Sequence, residues 1–366
     1  MKKLSVAALA IGMVILYACN KKEVMPANGG SETYLDLPSS PYRYFQQGDE
    51  ATDKKATLGR VLFYERSLSI NNSVSCGSCH HQKFAFADNV AFSRGFENKP
   101  THRNSLPIQN LLGDGAFFQP QFGPVSGVPL FWDGRESNVK DLVMRPITNH
   151  VEMGIDNPNL MVKRLKEAPY YPALFEEAYG DSKISIDRIA DAMAMFMISI
   201  NANKTRFDQF QQTGTGLSAQ EMNSMRLFNT LYGCNNCHNP TVGGYGAMVS
   251  FMDIGLEPRN GDDGLSTISR MAIDKNKFKI PNLRNVALTA PYMHDGRYNT
   301  LEEVIQHYSH GIQATPNLDE RLKKNGQPIK LNIPEEDKKA IIAFLHTLTD
   351  YNMVTDQKFA DPFKTR

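Results

Sequence analysis

Two pentapeptides constrain this chain more than anything else in it: Cys76-Gly77-Ser78-Cys79-His80 and Cys234-Asn235-Asn236-Cys237-His238. Two thiols three positions apart at the start of a helical turn can each add to a vinyl group of one porphyrin. The adjacent imidazole then faces the metal from one side. A thioredoxin-like redox pair and half of a zinc site share the cysteine spacing, and a single copy leaves both open. Two copies, each completed by histidine, favour two covalently bound c-type haems. The cysteines are Cys76 and Cys79, then Cys234 and Cys237; the proximal ligands are His80 and His238.

The fifth cysteine, Cys19, has its own context. Lys2 and Lys3 precede a 15-residue apolar stretch, Leu4–Ala18, shorter than the ~20 residues a spanning helix needs. That shape is an export signal, and Ala18-Cys19 resembles a bacterial lipoprotein cleavage site. The expectation is a mature chain that starts at Cys19, carries its lipid there, and sits on the periplasmic side of a bacterial membrane. Every thiol then has an assignment. Losing Lys2 and Lys3 with residues 1–18 turns the formal charge from +1 to −1. No basic excess remains to neutralise a phosphate backbone, which excludes nucleic acid as a partner.

The pattern after the leader is helical. Polar residues 19–36 read as a tether. Ser185 to Asn201 places Ile186, Ile189, Met193, Met197 and Ile200 on one face. Ser218-Ala219-Gln220-Glu221 and Thr300-Leu301-Glu302-Glu303 are capping boxes, the first opening a helix through Leu231, the second one that Gly311 can end. Pro334 opens a further helix. Leu62-Phe63 and Leu227-Phe228 precede the two cysteine pairs, whose first members lie 158 residues apart. At roughly 150 residues per domain the chain holds about two domains: 37–205, 206–352, and a tail 353–366. The fold class is all-α. Gly113–Pro129 and Gly243–Gly264 read as long connections.

From Leu58 to Leu348 the chain resembles the bacterial di-haem cytochrome c peroxidases and the related enzyme that matures methylamine dehydrogenase, MauG. The blocks that carry the resemblance are Ser75–His80 with Phe84–Asp88, His102–Ser105, Phe131–Arg135, Val151–Met153, Gly233–His238 and Pro281–Asn285 running to Ala290–Gly296. The resemblance implies two cytochrome c-like haem domains packed face to face, the N-terminal one reactive toward hydrogen peroxide and the C-terminal one supplying an electron. Glu152 stands at the position of the distal carboxylate, which takes a proton from one peroxide oxygen and returns it to the other. Trp132, the only tryptophan, stands between the haems, and His102 where a removable distal ligand lies. Asn110, with the backbone of Thr289 and Pro291, matches a calcium site between the domains. A small electron-donor protein of cytochrome c or cupredoxin type, and a homodimeric assembly, are further expectations. Ordinary packing roles remain open: a surface glutamate, a core tryptophan, a loop histidine, a loop amide.

The chain departs from the peroxidase pattern at Tyr308, where ordinary members place a methionine and MauG a tyrosine. A phenolate oxygen favours ferric and higher states, a thioether the reduced one. His307, His310 and Met293 are rival ligands, and Tyr308 as a packing residue is the alternative. Leu142 replaces a polar glutamine, and Leu111–Phe131 exceeds the usual spacing before Trp132. His81, His150, His294 and His346 read as structural. Three functions follow: a lipid-anchored peroxidase, a MauG-type oxidase acting on a protein or small molecule, and an electron-transfer cytochrome.

Overall fold

The computed structural model describes residues 34–46, 48–111, 125–238, 251–259 and 261–364. The leader 1–18, Cys19, most of the tether and the first part of both long connections lie outside the described residues. Among the described residues no helix is long and apolar enough to cross a membrane.

The chain is all-α, with three short two-stranded antiparallel sheets among the described residues. The N-terminal half is built on α1, Glu50–Tyr64, capped by Asp49, whose carboxylate accepts from the Thr52 amide at 2.8 Å. It packs most extensively on α5, Ile186–Ser199, whose residues from Ile189 onward are buried almost without interruption. That burial follows the predicted apolar face, with Ser185 as the cap. Between them run α2, Val139–Thr148, α3, Asn159–Glu167, and α4, Tyr171–Tyr179. Phe63, Phe86 and Phe196 meet at ring-centroid distances of 5.3–6.5 Å, the tilted and edge-on geometry that aromatic pairs prefer.

The C-terminal half contains α6, Arg206–Thr213, and α7, Ala219–Arg226, both opened by capping boxes. It continues with α8, Leu301–Gln306, opened by the Thr300–Glu303 box, and α9, Glu335–His346, after Pro334. Phe207, Phe228 and Phe344 form the centre of its core. The last turns after α7 and α8 are wider than α-helical: Leu227–Leu231 and His307–Gly311 are π turns. Such turns cluster at functional sites, and a 3.6-residue period cannot reveal them. The first apolar core runs to Ala202 before its later return at Met353 and Phe359, and the second opens at Phe207.

Both chain ends correct the sequence reading. Leu35, expected in a tether, is 1 % exposed and pairs with Phe363. The stretch expected to be a trailing tail returns to the N-terminal core: Met353 and Phe359 are buried there. The Tyr64 hydroxyl donates to the Phe359 carbonyl at 2.8 Å and the Arg60 Nε to the Ala360 carbonyl at 2.7 Å. Apolar Leu35, Phe359 and Phe363 gain by burial what polar neighbours do not, but their partners lie far along the chain, Tyr64 being 295 residues from Phe359, beyond the reach of any local pattern.

The halves meet along a polar seam. Arg103 clamps Asp262 through Nε and Nη2 at 2.6 and 2.7 Å and meets Asp133 at 2.6 Å. Gln109 donates to the Arg284 carbonyl at 2.5 Å and accepts from Asn285 at 2.6 Å. The Asn104 amide donates to the His294 carbonyl at 2.7 Å. Phe278 stacks on His294 with centroids 3.7 Å apart.

Candidate active site: two cysteine-histidine cradles

Each Cys-x-x-Cys-His segment forms a 3-10 turn. In the first, Cys76–Ser78, the Ser75 amide donates to the Ser78 hydroxyl at 2.9 Å, and the Cys79 and His80 amides both reach the Cys76 carbonyl. Gly77 is required: a Cβ there would fall 2.5 Å from the Tyr64 ring. Ala85 and Phe86 both have positive φ, which swings the Phe86 carbonyl back to accept from His80 Nδ1 at 2.7 Å. Ser105 lies 3.2 Å from the same nitrogen while donating to the Cys79 carbonyl at 2.9 Å. With Nδ1 carrying the proton, Nε2 is left as a free lone pair, the arrangement that orients a ligating histidine. Burial also holds His80 down at about 4, so its ring is neutral.

The second cradle repeats the scheme. Gly233, in the left-handed region, opens the turn Cys234–Asn236, and the His238 amide reaches the Cys234 carbonyl at 2.9 Å. His238 Nδ1 lies 3.2 Å from the Pro281 carbonyl, and burial again holds the ring at about 4.

The thiols separate the readings left open by sequence. All four are free. Burial raises Cys76 to about 12, Cys79 to about 11 and Cys234 to about 12, and lifts Cys237 as well. A thioredoxin-like pair needs the opposite shift. Among the described residues no three His, Cys, Asp or Glu side chains converge as a zinc site requires. Paired neutral thiols beside a neutral imidazole with a free Nε2, each against its own apolar core, fit a covalently bound haem in each cradle.

What faces the cradles differs. Glu152 lies in the turn after α2, half-buried. Its own amide and that of Gly154 donate to the Asn149 carbonyl, and the Asn149 Nδ2 donates to its Oε1 at 3.0 Å. Gly95 presses on this turn so closely that a Cβ would lie 1.8 Å from the Val151 carbonyl oxygen. Burial raises the Glu152 carboxyl above the usual carboxylate range, and the Arg135 guanidinium opposes the rise. After burial and nearer neighbours, the charge of Glu152 adds to the rise at both Cys76 and Cys79. The carboxyl is therefore near enough to the first cradle to act on its thiols.

Tyr308 lies near the second cradle. Burial first, then the neighbouring Cys237 and Cys234, push its phenol well above the usual value. His307 turns away, with Nε2 3.0 Å from the Ile254 carbonyl, and His310 is exposed. Met293 is half-buried at a positive φ in the loop before α8.

Trp132 sits at the bend of the hairpin formed by β1, Val125–Leu130, and β2, Glu136–Asn138. Its Nε1 donates to the Asn104 carbonyl at 2.9 Å, and its carbonyl accepts at 2.8 Å from the amide of Lys279 across the seam. The tryptophan is thus fixed at the junction of the halves. His102 is exposed, next to the Arg103 clamp. Asn110 is buried, its side-chain oxygen accepting from the Ala202 amide at 3.1 Å; the Thr289 hydroxyl serves its own turn at Val286. Pro291 is buried. The calcium expectation, Asn110 with the backbone of Thr289 and Pro291, rests on the resemblance alone. The Arg103 clamp, the Arg135 charge and the Asn149 donor escaped the sequence reading. Arg103 and Arg135 stand within the quoted motifs but act on partners outside their own motif, whereas Asn149 lies only three residues from Glu152.

A two-domain helical scaffold with two such cradles defines a di-haem c-type redox protein. A family model described as di-haem cytochrome c peroxidase matches residues 53–216. The chain is 31 % identical over 301 residues to the methylamine utilization protein MauG of Methylorubrum extorquens, covering 81 % of this chain and 78 % of that one. It is 30 % identical to the cytochrome c551 peroxidase of Nitrosomonas europaea, covering 80 % and 79 %. Among solved structures, a MauG-like protein associated with microbial copper homeostasis superposes with a TM-score of 0.73 at 28 % identity, covering 89 % and 97 %. The chain belongs to the di-haem cytochrome c peroxidase family, a family of peroxidase-type oxidoreductases that bind two c-type haems.

Proposed function

We propose that this protein reduces hydrogen peroxide to water at the first cradle, using electrons that enter from a small cytochrome c or cupredoxin-type donor through the second. The observation that carries the proposal is the Glu152 carboxyl, raised by burial, held by Asn149, and near enough to Cys76 and Cys79 to act on their thiols. The haems, held by Cys76, Cys79 and His80 and by Cys234, Cys237 and His238, supply the electrons when bound. Glu152 accepts a proton from one peroxide oxygen and delivers it to the other, so that water is the leaving group. The balance is one peroxide, two electrons and two protons to two waters. Trp132, bonded to both halves, carries electrons across the seam.

A second reading is favoured by a specific residue. Tyr308, close enough to Cys234 and Cys237 to feel their charge, would supply an oxygen ligand in place of a thioether and would thereby lower the potential of the second haem. That shift suits a MauG-type oxidase acting on a protein or small-molecule partner. A pure electron-transfer cytochrome leaves the raised Glu152 carboxyl without a task. The export signal and Cys19 support a lipid-anchored, periplasmic location.

Steady-state consumption of peroxide with a reduced small cytochrome tests the first reading. Rapid turnover supports it; peroxide-dependent oxidation of another partner without donor turnover supports the second. Low-spin spectra for both haems in every redox state leave only electron transfer.

A further inference from the structure

The residue that closes the second cradle sits in a π turn, His307–Gly311, on the end of α8. A π turn takes in one residue more than an α turn and is rare without a functional reason. Both neighbours of Tyr308 are anchored. His307 is 3 % exposed, and its Nε2–H donates to the Ile254 carbonyl at 3.0 Å. Its ring meets that of Tyr308 edge-on, with centroids 5.2 Å apart. On the other side, Ser309 is fully buried: its hydroxyl accepts from the Ile333 amide at 2.8 Å and its carbonyl from the Asn332 amide at 3.2 Å.

The wall that receives His307 is itself fixed. The carbonyls on either side of Ile254, those of Asp253 and Gly255, accept from the Asp319 and Gln313 amides at 3.0 and 2.8 Å. Winding the turn as a plain α-helix would rotate Tyr308 by about 100° per residue of slip, enough to carry its ring off the cradle. A side chain that holds the turn in register therefore decides which oxygen the second haem meets.

We propose that His307 is a positioning residue: its hydrogen bond to the Ile254 carbonyl holds the π turn so that the Tyr308 hydroxyl reaches the second haem. The proposal rests on the reading of Tyr308 as that haem's ligand. It assigns to His307, itself a candidate ligand by sequence, the task of aiming its neighbour.

Potentiometric titration and EPR of the mature holoprotein test it, with Tyr308→Phe as the reference. Tyr308→Phe changes the ferric EPR signal of the second haem and raises its midpoint potential. His307→Met, of similar bulk but without the donor, moves both in the same direction. At least a tenfold change in the ferric-to-ferrous ratio at fixed ambient potential is expected, about 59 mV for one electron. His307→Asn, which keeps a donor for the carbonyl, restores most of the wild-type values. Ser309→Ala, which loosens the other anchor, gives a smaller shift of the same sign and tests the proposal even where His307→Met does not mature. An unchanged Tyr308→Phe protein overturns the ligand reading and this proposal with it. A shifted Tyr308→Phe protein beside unchanged His307→Met and Ser309→Ala proteins overturns the proposal alone. Equal shifts in His307→Met and His307→Asn assign the effect to ring packing and also overturn it.

Discussion

The two cradles share a backbone and differ in what looks into them. Both close a 3-10 turn on a cysteine carbonyl, pair a histidine Nδ1 with a backbone carbonyl, and keep the ring neutral by burial. The first faces a carboxyl raised by burial and the second a phenol raised by burial. A carboxyl held above its usual range is the better placed of the two to exchange protons with a substrate, since the raised phenol is a far weaker acid. Under the proposed function, one scaffold used twice gives one site for proton transfer and one for setting a potential, and the difference lies in Glu152 and Tyr308 rather than in the motifs.

The largest effect that could break this comparison is at Glu152. Glu152→Gln keeps the shape and removes the proton exchange, so peroxide turnover should fall by about 10²–10⁴-fold while the spectrum of the second haem stays unchanged. Stopped-flow or steady-state peroxide consumption measures it, and an undiminished rate would remove Glu152 from the chemistry.

The comparison extends to the cores. Phe359 packs its ring against Tyr44, Phe86 and Phe196 in the first half only. Phe359→Ala should cost about 3–5 kcal/mol of stability, read in denaturant unfolding followed at the first haem, with the second haem's environment lost no earlier than in the wild type. Simultaneous loss of both would mean that the seam makes the halves a single cooperative unit.

Tyr308→Met places a thioether where the phenol stood and should raise the second haem's midpoint potential. The first haem's potential should move little. An unchanged second potential would remove Tyr308 from the ligand sphere.

The smallest expected effect sharpens the electrostatics. Burial raises Glu152 and Arg135 opposes it. A base is active in its deprotonated form, so activity is lost as pH falls through the raised value. Arg135→Leu takes away the opposing charge, and the acid limb of the pH–rate profile should move to higher pH. A profile that stays in place, or moves down, would show that Arg135 does not act on Glu152.

Much of this arrangement was legible in the chain itself. Cys-x-x-Cys-His spacing, capping boxes at Thr205, Ser218 and Thr300, and the apolar face of Ile186–Ser199 are local, and local geometry follows from them. The sequence reading missed the capping box at Thr205 but placed the other two. What it could not supply depends on distant partners: Leu35 against Phe363, Phe359 in the first core, and Arg103 between Asp133 and Asp262. The directions of His307, Tyr308 and His310 depend on a π turn whose anchors, Ile254 and Ile333, lie tens of residues away. Helical periodicity of 3.6 places those side chains at the wrong angles.

The inequality of the two cradles is tested most directly by EPR of the mature, fully ferric protein titrated with a small anionic ligand such as cyanide. The account predicts that only the haem held by His80 changes its signal, that Glu152→Gln leaves the signal of the other untouched, and that Tyr308→Phe alters that other signal alone. Ligand binding at the haem held by His238 while the first stays unresponsive would contradict the account.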